Sequence, residues 1–203
     1  MRASRPFFAM LSRMRLIQRW GLMRNTRAEN VQEHSLQVAM IAHALALISN
    51  RDFGAAFNAE HVAVLGMFHD ASEILTGDLP TPVKYGNEAV RAAYKALEQQ
   101  AEQRLLDLLP DDLRQDYAPL LDSRLMDAAE QRLVKAADSI AGYLKCVEEA
   151  SAGNREFFHA EKALLAKIES LAAELPAVQV FMQRFVPAFS LSLDEISHSP
   201  FQA

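Results

Sequence analysis

Apolar positions along this chain recur at three- and four-residue spacing, and alternating runs of Val, Ile and Thr bounded by turns are absent. That pattern predicts helices throughout. A first helix is expected after Ser4, with Pro6 in its opening turn, carrying Phe7, Phe8, Leu11 and Met14. The stretch from Gly21 to Ala28 reads as a loop. Asn30 suits an N-cap, and Glu33 three residues later completes a capping box. The helix opened there runs to about Ser49. It is apolar almost all round through Leu36, Val38, Met40, Ile41, Leu45 and Ile48, so a central and buried element is expected.

Asn58 can cap the next helix, which contains Val62, Leu65, Phe68, His69 and Ile74. Between Thr76 and Pro82, Gly77 and two prolines enforce a turn and then an extended path. A long polar-faced helix follows from Asn87 to about Leu109, and Pro110 and Pro119 bracket a short irregular piece. From Asp127 to about Ala150 the chain is strongly amphipathic (Leu133, Val134, Ala137, Ile140, Ala141, Leu144, Val147), until Gly153 and Asn154 stop it. A helix from Arg155 to Leu175 and a shorter one after Pro176 finish the bundle, and the last dozen residues read as a frayed tail. The expected fold class is all-α, a helical bundle in one domain spanning 1–203.

Composition narrows the function. The net charge of −5 argues against nonspecific nucleic-acid binding. No apolar run approaches the ~20 residues of a membrane span, and the N-terminus lacks the apolar core of a secretory signal. The single cysteine, Cys146, permits no intrachain disulfide and reads as a small core residue. A cytoplasmic protein is expected. The charge is uneven, however. Before Glu29 there is no acid, but there are Arg2, Arg5, Arg13, Arg15, Arg19, Arg24 and Arg27. Such a segment is either a solvated basic surface or the source of one or two arginines that face an anionic substrate.

The chemistry centres on His69-Asp70. A lone helical His is usually an ordinary core or surface residue, but this pair lies between Phe68 and Ala71, where a carboxylate is costly unless paired or metal-bound. His34, in the first turn of the most apolar helix, and Asp138, between Val134 and Ala141, interrupt apolar faces in the same way. Taken alone, Asp138 reads as half of a buried ion pair. Three helices that aim imidazole and carboxylate groups at one core suggest a shared first-row divalent ion. Two carboxylates cancel its charge, and such an ion lowers the pKa of bound water. Glu73 follows His69 by four and Asp70 by three residues, which places it on the same helical face as a general acid/base. No histidine lies between Asp70 and Asp138, which favours a mononuclear site.

The ordered pattern His34, His69-Asp70, Asp138 resembles the HD-domain superfamily of metal phosphohydrolases. Arg19-Trp20, Arg24-Asn25, Glu29-Asn30-Val31, Glu33 to Ala39, His69 to Glu73, Thr76 to Lys84 and Phe189 to Ile196 resemble, more specifically, the bacterial 5′-deoxynucleotidases. The resemblance implies an HD-type bundle that hydrolyses deoxyribonucleoside 5′-monophosphates, is selective against ribonucleotides and tolerant of the base, uses Co²⁺ or a similar divalent ion such as Mn²⁺ in vitro, and forms a homodimer. It implies that His34, His69, Asp70 and Asp138 bind the metal, that Glu73 assists the attacking water, and that Arg19 orients the phosphate. It places Trp20 and the loop of Asp78, Leu79, Pro80 and Thr81 on the sugar and base side. Physically, an Arg fork suits a phosphate dianion, Asp78 can accept from the 3′-hydroxyl, and Trp20 can crowd the 2′ carbon. Lys84 is either a further phosphate contact or a surface residue. Asp70 is the alternative to Glu73 for proton transfer. Two rival readings remain: an HD phosphohydrolase for triphosphates or cyclic nucleotides, and a helical regulatory module without chemistry.

Overall fold

The computed structural model describes residues 4–84 and 86–198, apart from the side chain of Thr81. Among the described residues there is no strand beyond a single bridge between Gln18 and Asn30. The helices are α1 (Phe7–Leu11), continued by a 3₁₀ segment (Ser12–Leu16), α2 (Val31–Phe53), α3 (Ala59–Phe68), α4 (Glu73–Thr76), α5 (Thr81–Lys84), α6 (Glu88–Leu106), α7 (Asp111–Leu121), α8 (Ala128–Ser151), α9 (Phe158–Glu174), α10 (Pro176–Arg184) and α11 (Leu193–His198). The all-α expectation holds.

Local signals set the main helix starts. Asn30 Oδ1 accepts from Gln32 N–H and Glu33 N–H, both at 3.0 Å, and Glu33 reaches back to the Asn30 N–H. Asn58, Asn87 and Asp127 cap α3, α6 and α8 in the same manner. Gly54, at φ 67°, ends α2 in the left-handed region that suits glycine.

The larger core joins α2, α3 and α8, closed by α9 and α10, through Val38, Leu45, Val62, Leu133, Ile140 and Leu144. A second core, built from Phe7, Ala71, Leu105, Leu109 and Leu121, ties α1, α6 and α7 to the turn after α3. The helices α2 and α3 touch almost backbone to backbone. A Cβ on Gly66 would lie 2.8 Å from Ala39 Cα, so only glycine permits that approach.

Several expectations change. The helix expected to run from Asn58 through Ile74 ends at Phe68, and residues 69–72 form tight turns in which Ala71 N–H and Glu73 N–H bond to carbonyls three residues back. The segment between Pro110 and Pro119 is helical, with Pro119 inside α7. Tyr117, Ala118 and Leu121 pack against the second core and hold that turn despite the proline. Thr81–Lys84 forms a helical turn rather than an extended path, because Pro80 O accepts from both Val83 N–H and Lys84 N–H. The helix α2 is central but not buried all round: Leu36, Met40 and Leu47 are exposed. The tail expected to fray contains α11, whose start Ser192 and Glu195 cap reciprocally. The last five residues of that tail lie outside the described residues, as does Arg2.

Candidate active site

The close approach at Gly66 delivers His69 to His34. Their ring centroids are 5.3 Å apart, with His34 fully buried in the first turns of α2. His69 Nδ1 lies 2.8 Å from Gly66 O. A carbonyl only accepts, so Nδ1 carries the proton and Nε2 faces Asp70 Oδ2 at 3.1 Å. His34 Nε2 lies 3.1 Å from Asp138 Oδ1 and 3.7 Å from Asp70 Oδ2. One ligand-type atom each from His34, His69 and Asp70 falls within 4.8 Å of the others, and Asp138 joins them through His34. The structure therefore brings all four residues together, although Asp138 is half-exposed rather than sunk in the core.

The electrostatics suit a cation. Burial disfavours charge on His69, yet Asp70 and Asp138 hold its pKa above the ordinary value. Burial likewise opposes the charges on Asp70 and Asp138, but the two imidazoles hold both carboxyls below the usual range. A field that favours a proton on Nε2 favours a metal cation at the same place. Within this buried cluster His69 Nε2 and Glu73 Oε2 lack a hydrogen-bond partner. The donor set, two imidazoles and two carboxylates, fits a first-row divalent ion.

Glu73 opens α4 and is buried, and burial together with Asp70 and Asp78 pushes its carboxyl up to about 9. Asp78 lies on the loop after Gly77, whose φ of 73° gives the chain its turn. Burial raises Asp78 as well, opposed by Arg19. Leu79 and Pro80 are half-buried on that loop, and the Thr81 side chain lies outside the described residues. Arg19 reaches the cluster from the segment before α2. Its Nε donates to Glu29 Oε2 at 3.0 Å and its Nη1 to Asp70 Oδ2 at 3.4 Å. Burial opposes the Arg19 charge, but Asp70, Asp138, Glu29 and Asp78 together raise its pKa. Trp20 stands next to it at φ 57°, a conformation unusual for an aromatic residue.

The other described arginines before Glu29 do not converge here. Arg5, Arg13, Arg15 and Arg27 are exposed, and Arg24 pairs with Glu156 at the surface. Lys84 pairs with Glu98 at 2.7 Å and lies over the Tyr94 ring. It borders a cleft of about 710 Å³ that opens onto His69 and Asp138 between α6 and α8. Cys146 is buried in α8, its thiol pushed up to about 12 by desolvation, as a core residue should be. Sequence reasoning assigned no role to Lys145 and Glu149. Lys145 donates to Glu149 and to Arg27 O. Glu149 also accepts from Thr26 N–H, Thr26 Oγ1 and Asn154, so the pair clamps the loop after Trp20 onto α8. The only local signal was their i,i+4 spacing on one helix.

A bundle that gathers a His from α2, a His-Asp from the turn after α3 and an Asp from α8 has the arrangement of an HD-domain protein, and solved structures share the fold. The HD-domain phosphohydrolase lin2634 from Listeria innocua superposes with a TM-score of 0.79 at 23% identity, over 94% of this chain and 91% of that one. The cyanophage S-2L HD phosphohydrolase DatZ, bound to dA and one catalytic Zn²⁺ ion, superposes with a TM-score of 0.64 at 17% identity, over 88% and 95%. At those identities the likeness concerns the fold. The family described as 5′-deoxynucleotidase YfbR-like matches residues 6–189, and this chain belongs to it. The 5′-deoxynucleotidase YfbR of Escherichia coli (strain K12 / DH10B) is 56% identical over 191 residues, 94% of this chain and 95% of that protein.

Proposed function

We propose that the protein is a metal-dependent 5′-deoxynucleotidase that hydrolyses deoxyribonucleoside 5′-monophosphates to deoxynucleoside and phosphate. The carrying observation is the convergence of His34, His69, Asp70 and Asp138 around one cation site with Arg19 against it. The family membership supports the same reaction.

In this reading His34, His69, Asp70 and Asp138 hold the ion, which supplies Lewis acidity toward phosphate and water. Arg19 already spans from Glu29 to Asp70, and its guanidinium takes the equatorial phosphate oxygens, where charge spreads in the transition state. Glu73 carries the proton traffic. Burial, Asp70 and Asp78 keep its carboxyl protonated in the resting site, so it can give that proton to the departing 5′-oxygen and, once ionised, take one from water. Asp70, held ionised by His69 and His34, is less suited to that work. Asp78 accepts from the 3′-hydroxyl, and Leu79, Pro80 and Thr81 flank the sugar and base. Trp20 crowds the 2′ carbon and so disfavours ribonucleotides.

The reading extends to one domain, a cytoplasmic location, Co²⁺ or Mn²⁺ as effective ions in vitro beside zinc, no nucleic-acid or membrane partner, and a homodimer. Among the described residues no helix is long and apolar enough to cross a membrane. The exposed stripe of Leu36, Met40 and Leu47 on α2 offers a second copy an apolar face.

The test is phosphate release from dAMP and AMP by metal-stripped protein, with Co²⁺, Mn²⁺, Zn²⁺ or Mg²⁺ added back, beside Glu73→Ala. Metal-restored release from dAMP, weak release from AMP and loss of both in the variant are expected. No release with any ion sinks the reading.

A further inference from the structure

Two residues that the proposed reaction needs, Arg19 and Trp20, are consecutive in the chain and meet on a single atom. Arg19 Nε and Trp20 Nε1 each donate to Glu29 Oε2 at 3.0 Å. The backbone repeats the link, because Arg19 N–H donates to Glu29 O at 2.9 Å within the short bridge between Gln18 and Asn30. Glu29 is itself fixed, one residue before the capping box that starts α2. It is a half-buried carboxylate directly upstream of the helix that carries His34.

The geometry assigns to Glu29 a positioning role: it sets the Arg19 fork and the Trp20 indole against the substrate, and it ties both to the helix that carries His34. The assignment rests on the deoxynucleotidase reading. By occupying the Nε edge of Arg19, Glu29 turns the Nη1–Nη2 end of the fork toward Asp70, the side from which phosphate would approach. By accepting from the indole N–H, it anchors the side chain of Trp20, whose backbone stands at a φ of 57°. The far side of the ring leans on Phe157 at a centroid distance of 5.2 Å. Phe157 and the α8 backbone at Gly142 confine the ring by packing, and the carboxylate adds the one directional contact that orients the indole N–H. The charge of Glu29 also matters. Its removal leaves the pocket more positive, so ground-state binding of a phosphate dianion does not weaken, and the loss falls on orientation and hence on turnover.

The chain has one tryptophan, so its intrinsic fluorescence reports on this contact without any assay of activity. The experiment compares wild type, Glu29→Gln, Glu29→Ala, Trp20→Ala and the Glu29→Ala/Trp20→Ala double variant, each checked for folding by circular dichroism. Acrylamide quenching of Trp20 should rise in Glu29→Ala. It should stay near wild type in Glu29→Gln, whose amide oxygen still accepts from the indole. With Co²⁺-loaded enzyme, Glu29→Ala should lower kcat for dAMP by about tenfold without raising KM. It should also narrow the dAMP-to-AMP ratio of kcat/KM by about tenfold, while Glu29→Gln keeps the ratio. In the Trp20→Ala background, removing Glu29 should change the ratio no further. Unchanged quenching in a folded Glu29→Ala overturns the assignment, as does a change in the ratio that adds independently to that of Trp20→Ala. Failure of the deoxynucleotidase reading looks different: wild type releases no phosphate from dAMP, while Glu29→Ala still loosens Trp20.

Discussion

His34, His69 and Asp138 are carried by α2, the end of α3 and α8, three helices joined through one apolar core. Arg19 and Trp20 are carried by irregular chain, and no helix holds them. Glu29 pins their side chains, and the Lys145–Glu149 pair pins the loop that follows. One half of the site is thus placed by packing, which is non-directional and tolerant of small changes. The other half is placed by a few charged hydrogen bonds, each of which is directional and costly to leave half-made. On the proposed function, the first half would hold a metal, which needs several ligands at fixed separation, and stacked helices supply that. The second half would hold phosphate and sugar, which must enter and leave, and a clamped loop can allow this while its anchors stay in place.

If packing places the cation site, removing a ligand should abolish function and spare the fold. His69→Ala is expected to lower phosphate release from dAMP by a factor on the order of a thousand or more. The metal-free melting temperature should move little. The upward shift on adding Co²⁺, which reports binding to the native state, should disappear. A His69→Ala protein that keeps that shift would show that His69 is not a ligand.

The loop half should answer in the opposite way, with stability lost through a single polar contact. Glu149→Gln leaves the Lys145 ammonium buried without its carboxylate, and a loss of about 3–5 kcal/mol is expected in urea unfolding. Acid should give the same answer without mutation. Burial alone would raise the Glu149 carboxyl, but Lys145, Asn154 and Thr26 pull it down to about 2. Its folded value lies below the ordinary value of about 4.3, so the unfolded chain binds the extra proton first. The contribution of Glu149 is therefore complete above about pH 4.3 and fades as pH falls toward about 2. Unfolding free energy should drop less steeply in Glu149→Gln than in wild type across that window. Parallel slopes would mean the pair does not hold the loop.

The packing half can be strained in turn. Gly66→Val sets a side chain against the Ala39 backbone, and backbone cannot step aside as a flexible side chain does. The two helices must separate, at a cost of roughly 1–3 kcal/mol. Because His69 follows Gly66 by one turn, Co²⁺ affinity should fall as well. Isothermal titration beside a melting curve separates the two effects, and lost stability with unchanged affinity would place His69 independently of that contact.

What the sequence disclosed divides along the same line. The caps at Asn30 and Asn58 are local, as are the helix starts at Asn87 and Asp127 and the amphipathic rhythm of α8, and all were legible in the chain. The clustered candidates His34, His69, Asp70 and Asp138 could be picked out too, because a His or Asp interrupting an apolar run is visible in one dimension. The break after Phe68 was not, since the His69 bond to Gly66 O and the packing of Ala71 in the second core arise only in three dimensions. Helix α7 was hidden by Pro119, whose local penalty is outweighed by Tyr117 and Leu121. The partners of the loop were least visible of all. Thr26 and Glu149 stand more than a hundred residues apart, and nothing in either neighbourhood announces the other.

The smallest effect is expected where the loop half meets solvent. Arg24 donates through two nitrogens to Glu156, yet its side chain is 91% exposed. Water screens such a pair, and ordering two long side chains opposes it, so Arg24→Ala should cost no more than about 0.2–1 kcal/mol. That loss should shrink further in 1 M salt, where screening acts over about 3 Å. Arg24→Ala and Glu149→Gln touch the same stretch of chain, one outside and one inside. If Arg24→Ala matched the buried substitution in urea, or lowered kcat for dAMP as Glu29→Ala does, the loop would be held from its surface. Positioning of Arg19 and Trp20 would then depend on ionic strength, a dependence that the buried anchors should not show.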